Sequence, residues 1–191
     1  MKKIIQHIRN VVSISDDHLS VILDKLVEKQ FAKKEQILYA GDLAHEVYFS
    51  LQGCQRMYIL DNNGMEHNIV FSIENWWFGD LQSFLNKTPA CFGIQALEDS
   101  RVLSINKENW DDLVANVPQF VAYTRILFRN TMFSHENRIF QNLSLTAEER
   151  YEYFQKKYPD QFRRVSQKHL ASYLGITPEF LSMIRSKKRK A

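Results

Sequence analysis

The chain has 191 residues, 45% of them hydrophobic and 25% charged, with six Gly and four Pro, so one or two compact units with a sizeable core are expected and collagen-like, low-complexity and disordered classes are excluded. No run of about 18 apolar residues occurs, and the start, Met1-Lys2-Lys3-Ile4-Ile5-Gln6-His7, soon turns polar, so neither a membrane span nor a secretory leader is expected and the cytoplasm is the expected compartment. The net charge of +3 is unevenly spread: 145–191 hold eleven Lys and Arg against five Asp and Glu, while 1–144 hold fourteen against seventeen, which points the last quarter towards a polyanion.

The first thirty residues carry helical spacing. Leu19, Ile22, Leu23, Leu26 and Val27 recur at three and four behind Ser15, Asp16 and Asp17, which supply a cap. From Phe31 to Ile105 the pattern changes to short β-prone runs at 36–39, 46–51, 55–60, 67–73 and 93–105, separated by turn residues that include Gly41, Gly53 and Gly64. Evenly spaced short strands of this kind read as a jelly-roll-like barrel or sandwich. Asn63-Gly64 gives the best hairpin signal, because a tight turn needs residues that tolerate positive φ. Cys54 and Cys91 are too few for a disulfide framework and have no zinc or iron–sulfur spacing, so they read as buried or idle thiols.

A helical stretch begins near Asp111 and meets Pro118. Residues 119–143 then contain neither Gly nor Pro, which predicts one helix of about 37 Å at 1.5 Å per residue. Ile126, Phe133 and Phe140 lie seven apart, and Phe128, Met132, His135 and Ile139 form an adjoining line. Two apolar faces ask for two partners, so the helix is expected to pack on the β domain and on a twin from a second copy. Thr146 with Glu149 marks a further helix start, and Pro159-Asp160 its end.

Gln167 to Ser186 has the arrangement that a helix-turn-helix requires. Leu170, Leu174, Ile176, Leu181 and Ile184 point inward from two short helices, Ala171 is small where these approach, and Gly175 is free to turn the chain through positive φ. Thr177 can cap the second helix with Pro178 at its first position. Thr177, Pro178, Glu179, Ser182, Met183 and Ser186 would then face base edges: Glu179 can accept from cytosine, Ser182 can hydrogen-bond a base or phosphate, and Met183 can touch a thymine methyl. Arg185, Lys187 and Lys188 would neutralise phosphates, and Ser166, Gln167 and Lys168 lie where the first helix crosses the backbone.

The order of parts along nearly the whole chain resembles the Crp/Fnr family of bacterial transcription regulators. Gly41-Asp42, Gly53, Asn63-Gly64 and Trp77-Phe78-Gly79-Asp80-Leu81 carry the resemblance in the β region, and Leu181-Ser182-Met183-Ile184-Arg185 carries it at the end. It implies an α+β protein with an N-terminal jelly-roll-like β-barrel of cyclic-nucleotide-binding type (1–115), a long dimerisation helix (116–144) and a C-terminal helix-turn-helix domain (145–191). It also implies a homodimer on double-stranded DNA and room for a small-molecule effector of unknown identity; no cofactor and no metal are expected, since the clustered N-terminal cysteines of the family's oxygen sensors do not occur here. In the family's nucleotide binders an Arg-Ser pair follows the cassette Gly by about eleven residues; here that position holds Ala90 and Cys91. With the phosphate's cation missing, cyclic AMP is not the expected effector. Gly79, Asp80, Leu81, Ala90 and Cys91 are carried over as the effector pocket, with Arg125 and Arg129 of the long helix as the first candidates for a substitute cation. Trp76, Trp77, Phe84 and Phe92 could instead fill the cavity or hold an apolar molecule. Rival readings are a cupin-like enzyme, for which the six scattered His supply no His-x-His or His-Glu-x-x-His motif, and an adaptor without DNA contact, which the basic terminal quarter disfavours.

Overall fold

The computed structural model describes residues 1–190, the side chains of 188–190 excepted. Two helices lead: α1 (Lys2–Val11), which buries Ile4 and Ile8, and α2 (Asp16–Asp24), where Ser15 caps the first turn by accepting from the His18 N–H. The helical expectation of 19–27 is thus corrected at its end. Val27 opens strand β1 (Val27–Phe31), which pairs antiparallel along the whole run 100–104.

β2 (Gln36–Leu38), β3 (Glu46–Gln52), β4 (Gln55–Leu60), β5 (Glu66–Ser72), β6 (Trp77–Phe78), β7 (Gly93–Ala96) and β8 (Ser100–Asn106) complete two four-stranded antiparallel sheets, ordered β1-β8-β3-β6 and β2-β7-β4-β5. The continuous run expected over 93–105 is broken at 97–99, and its two halves join different sheets. Phe49, Leu103 and Ile105 are buried together with α1 and α2, while Tyr48, Met57, Ile94 and Val102 form a second cluster. Gly93 is fixed by packing, because a Cβ there would lie 2.3 Å from the ring of Tyr58, its partner across the strands. The hairpin forms where Asn63-Gly64 marks it, with the Asp61 carboxylate accepting from the Asn63 and Met65 N–H groups.

α3 (Leu81–Asn86) and α4 (Lys107–Asn116) flank the strands, and α5 (Pro118–Ser144) runs for 27 residues from Pro118 in its first turn. Its N-terminal half is held by burial of Phe120, Tyr123 and Thr124, and by the Tyr123 hydroxyl, which receives the Trp77 indole N–H and lies 2.7 Å from His7 Nδ1. Then come α6 (Ala147–Lys157), opened by a Thr146–Glu149 capping box, α7 (Pro159–Arg164), α8 (Gln167–Leu174) and α9 (Pro178–Lys190). Pro159 therefore ends one helix and begins another, since its fixed φ suits a first helical turn. No described helix is long and apolar enough to cross a membrane.

Candidate nucleic-acid interface

The C-terminal helices are built around Leu170, Ala171, Leu174, Leu181 and Ile184, all buried, with Ile176 packed against them. Ser166 caps α8 by accepting from the His169 N–H. Gly175 ends α8 at φ 69°, in the left-handed region that favours glycine. Thr177 then caps α9 by accepting from the Phe180 N–H. Because Leu181 and Ile184 anchor one side of α9, Thr177, Pro178, Glu179, Ser182, Met183, Ser186 and Lys187 are left exposed on the others, as are Ser166, Gln167 and Lys168 at the start of α8. Arg185 is half-buried, and the Lys188 side chain lies outside the described residues.

Beyond Leu127, α5 leaves its apolar positions uncovered. Phe133 is 47% exposed, Phe140 63% and Leu143 84%, while Ile126 is half-buried. Burial of large apolar side chains contributes about 1.5–3 kcal/mol each, so a row of them left in water is a strong incentive for association.

The cassette is occupied by its own backbone. The fully buried Asp80 carboxylate accepts from Ser83 N–H at 3.0 Å, Cys91 N–H at 2.7 Å and Phe92 N–H at 3.0 Å, so it caps α3 and ties down the 89–92 loop. Ala90 is buried, Cys91 exposed and Leu81 packed into the core beside Phe84 and Trp77. Phe92 joins the second cluster, while Trp76 turns away to meet Tyr158. Arg125 and Arg129 are exposed, and neither makes an ion pair among the described residues. Nor does any group of three or more described His, Cys, Asp or Glu side chains stand where it could hold a metal.

Residues 28–117 match the family of cyclic nucleotide-binding domains. The regulatory protein HlyX of Actinobacillus pleuropneumoniae is 25% identical, with the alignment covering 92% of this chain and 78% of that one. Among solved structures, FixK2 from Bradyrhizobium japonicum superposes with a TM-score of 0.76 at 19% identity, covering 86% of this chain and 85% of its own. A transcriptional regulator of the crp/fnr family from Eubacterium rectale superposes with a TM-score of 0.72 at 17% identity, covering 93% and 85%. The chain has the fold of these two structures, and its residues 28–117 match the cyclic nucleotide-binding domain family.

The helix-turn-helix is docked on the β domain, with α8 against β5. The pairing of β4 with β5 slips between Met57 and Tyr58, leaving Ile69 without an opposite residue. Other elements satisfy the backbone groups freed there. The Ser172 hydroxyl accepts from Asn68 N–H at 3.0 Å and donates to the Glu66 carbonyl at 3.0 Å. Arg138 of α5 donates to the carbonyls of Ile69, Asn68 and Tyr173, and its guanidinium lies 4.0 Å above the Tyr173 ring. Arg164 joins the same seam, pairing with Glu74 at 2.7 Å and Glu98 at 2.5 Å. Arg138, Arg164, Ser172 and Tyr173 carried no role in the sequence reading. The one signal for Arg138 was its place as a cation beside Ile139 and Phe140 in a helix without breaks.

Proposed function

We propose that the protein is a homodimeric, DNA-binding transcription regulator that reads a near-palindromic site with two copies of α9, in the cytoplasm. The observation that carries this reading is the row Thr177, Glu179, Ser182, Met183 and Ser186, exposed on a helix whose opposite side, Leu181 and Ile184, is buried against α8. Side chains so displayed fit a major groove, where Glu179 accepts from cytosine N4, Ser182 donates to a base or phosphate, and Met183 covers a thymine methyl. Lys168, Arg185 and Lys187 supply sequence-independent phosphate contacts, with Lys188 of the terminal run added on charge alone. The uncovered apolar face of α5 supports the second copy, which sets the two recognition helices about 34 Å apart.

The effector is not cyclic AMP. A phosphate at the cassette would meet Ala90 where the resembled family has its arginine, beside Cys91 and a carboxylate already committed to three N–H groups, so its desolvation would lack that charge-assisted pair. Sequences enriched from a random duplex pool test the DNA reading: a two-fold symmetric motif is expected, and an unenriched pool would overturn it.

A further inference from the structure

A cavity of about 310 Å³ lies at the junction of the β domain with α5 and the C-terminal helices. Trp76, Phe133, Tyr153, Tyr158 and Tyr173 surround it. A smaller hollow of about 40 Å³ continues past Arg138 and shares Trp76, Ser134, Tyr158 and Tyr173 with it. The volume has room for roughly ten water-sized groups at about 30 Å³ each, near the lower end of small-molecule sites.

The lining has one sign of charge. Arg138 and Lys157 both border the cavity, Asn130, Asn137 and Gln141 add amide groups, and no Asp or Glu is among its described lining residues. The hydrogen bonds of Arg138 end on three neutral carbonyls, and among the described residues it has no carboxylate partner. Arg138 is half-buried, and a cation drawn out of water is ordinarily paired, because losing hydration without a partner is costly. Burial accordingly pulls the Arg138 guanidinium below its ordinary value, with only the nearby Tyr173 and Tyr158 opposing the shift. An anion in the cavity would supply the missing charge, and the aromatic walls would hold a flat apolar body.

We infer that this interdomain cavity is a binding site for a planar aromatic carboxylate of one or two rings, seated among the aromatic side chains with its carboxylate towards Arg138 and Lys157. Its walls come from all three parts of the chain, so an occupant fixes how the helix-turn-helix sits on the β domain. That regulatory consequence rests on the function proposed above; the binding site itself does not.

The probe is 2-naphthoate, titrated by calorimetry into the purified full chain. Saturable binding of one molecule per chain is expected, about tenfold or more tighter than naphthalene-2-carboxamide, since a charge-assisted pair is lost in the amide. Lys157→Gln, at an exposed position with no ion pair among the described residues, should weaken the acid several-fold and leave the amide unchanged. Asn137→Trp should fill the space and abolish both, with Ser134→Phe as the second filling variant should the first not fold by circular dichroism. Absence of saturation up to millimolar acid, equal affinity for acid and amide, or indifference to Lys157→Gln overturns the site. Duplex affinity is measured on the same samples with and without 2-naphthoate. A change of at least several-fold is expected. An unchanged duplex affinity overturns the regulatory consequence alone, and failure to bind duplex while naphthoate still binds overturns the proposed function alone.

Discussion

The guanidinium of Arg138 lies over the ring of Tyr173 at 4.0 Å and donates to that residue's carbonyl at 3.0 Å, while its remaining hydrogen bonds reach the carbonyls of the β5 bulge. One side chain of the long helix therefore joins the β domain to the helix-turn-helix. Replacing it by Met keeps the stem but strands three carbonyls. Arg138→Met is expected to cost about 2 to 4 kcal/mol and to make the 145–165 segment an early site of limited proteolysis, read by thermal unfolding and mass spectrometry. Unchanged stability and cleavage would contradict the role given to this residue.

The Arg164 seam should make stability pH-dependent. Burial pushes the Glu74 carboxyl up, but hydrogen bonds from Arg164, from its own backbone and from the Gly53 N–H outweigh this and hold it below its ordinary value. A carboxyl depressed in the folded state adds stability above its unfolded value, about 4.3, and that stability is lost as pH falls through the folded value. Denaturant unfolding of the wild type and of Arg164→Gln should therefore differ most near neutrality and converge as pH falls below about 4. A difference independent of pH would contradict the assignment.

Cys54 is buried, and burial pushes its thiol up to about 12, whereas Cys91 is exposed. The thiolate is the reactive form. The native chain should therefore release one equivalent of thionitrobenzoate per chain from a disulfide reagent at pH 8, and two only on unfolding; two fast equivalents would place Cys54 at the surface.

Gly175 is a purely conformational requirement, since nothing lies within 4 Å of where its Cβ would be. Gly175→Ala should cost about 1 to 2 kcal/mol through the left-handed φ alone and weaken duplex binding by shifting α9. Calorimetric unfolding and duplex titration check the two effects. Stability equal to the wild type would mean that the turn adopts another conformation.

The helix-turn-helix was legible because its signal is local: a glycine at a left-handed turn, capping hydroxyls at Ser166 and Thr177, and inward positions within twenty residues. The Asn63-Gly64 hairpin was legible for the same reason. β1 was not, because Val27-Glu28-Lys29-Gln30-Phe31 has weak alternation and is held by pairing with the distant run 100–104. The carried-over Asp80 kept its place but not its expected freedom, as its oxygens are taken by the 89–92 loop, whose path no local pattern fixes. Arg138 and Tyr173 were illegible as a pair, since their meeting depends on a strand bulge and on the docking of two domains.

The most direct test of a DNA-binding homodimer is fluorescence anisotropy of an enriched near-palindromic duplex titrated with the chain from about 50 to 200 mM salt, beside Ser182→Glu and the dimer-face pair Phe140→Lys with Leu143→Lys. Log affinity should fall steeply with log salt, as expected when several Lys and Arg displace counterions, and the mass of the complex should correspond to two chains. Ser182→Glu should lower affinity at least tenfold by setting a carboxylate against the groove, and the Lys pair should yield monomers that bind weakly. Affinity that is flat with salt, or undiminished by Ser182→Glu, would contradict the account.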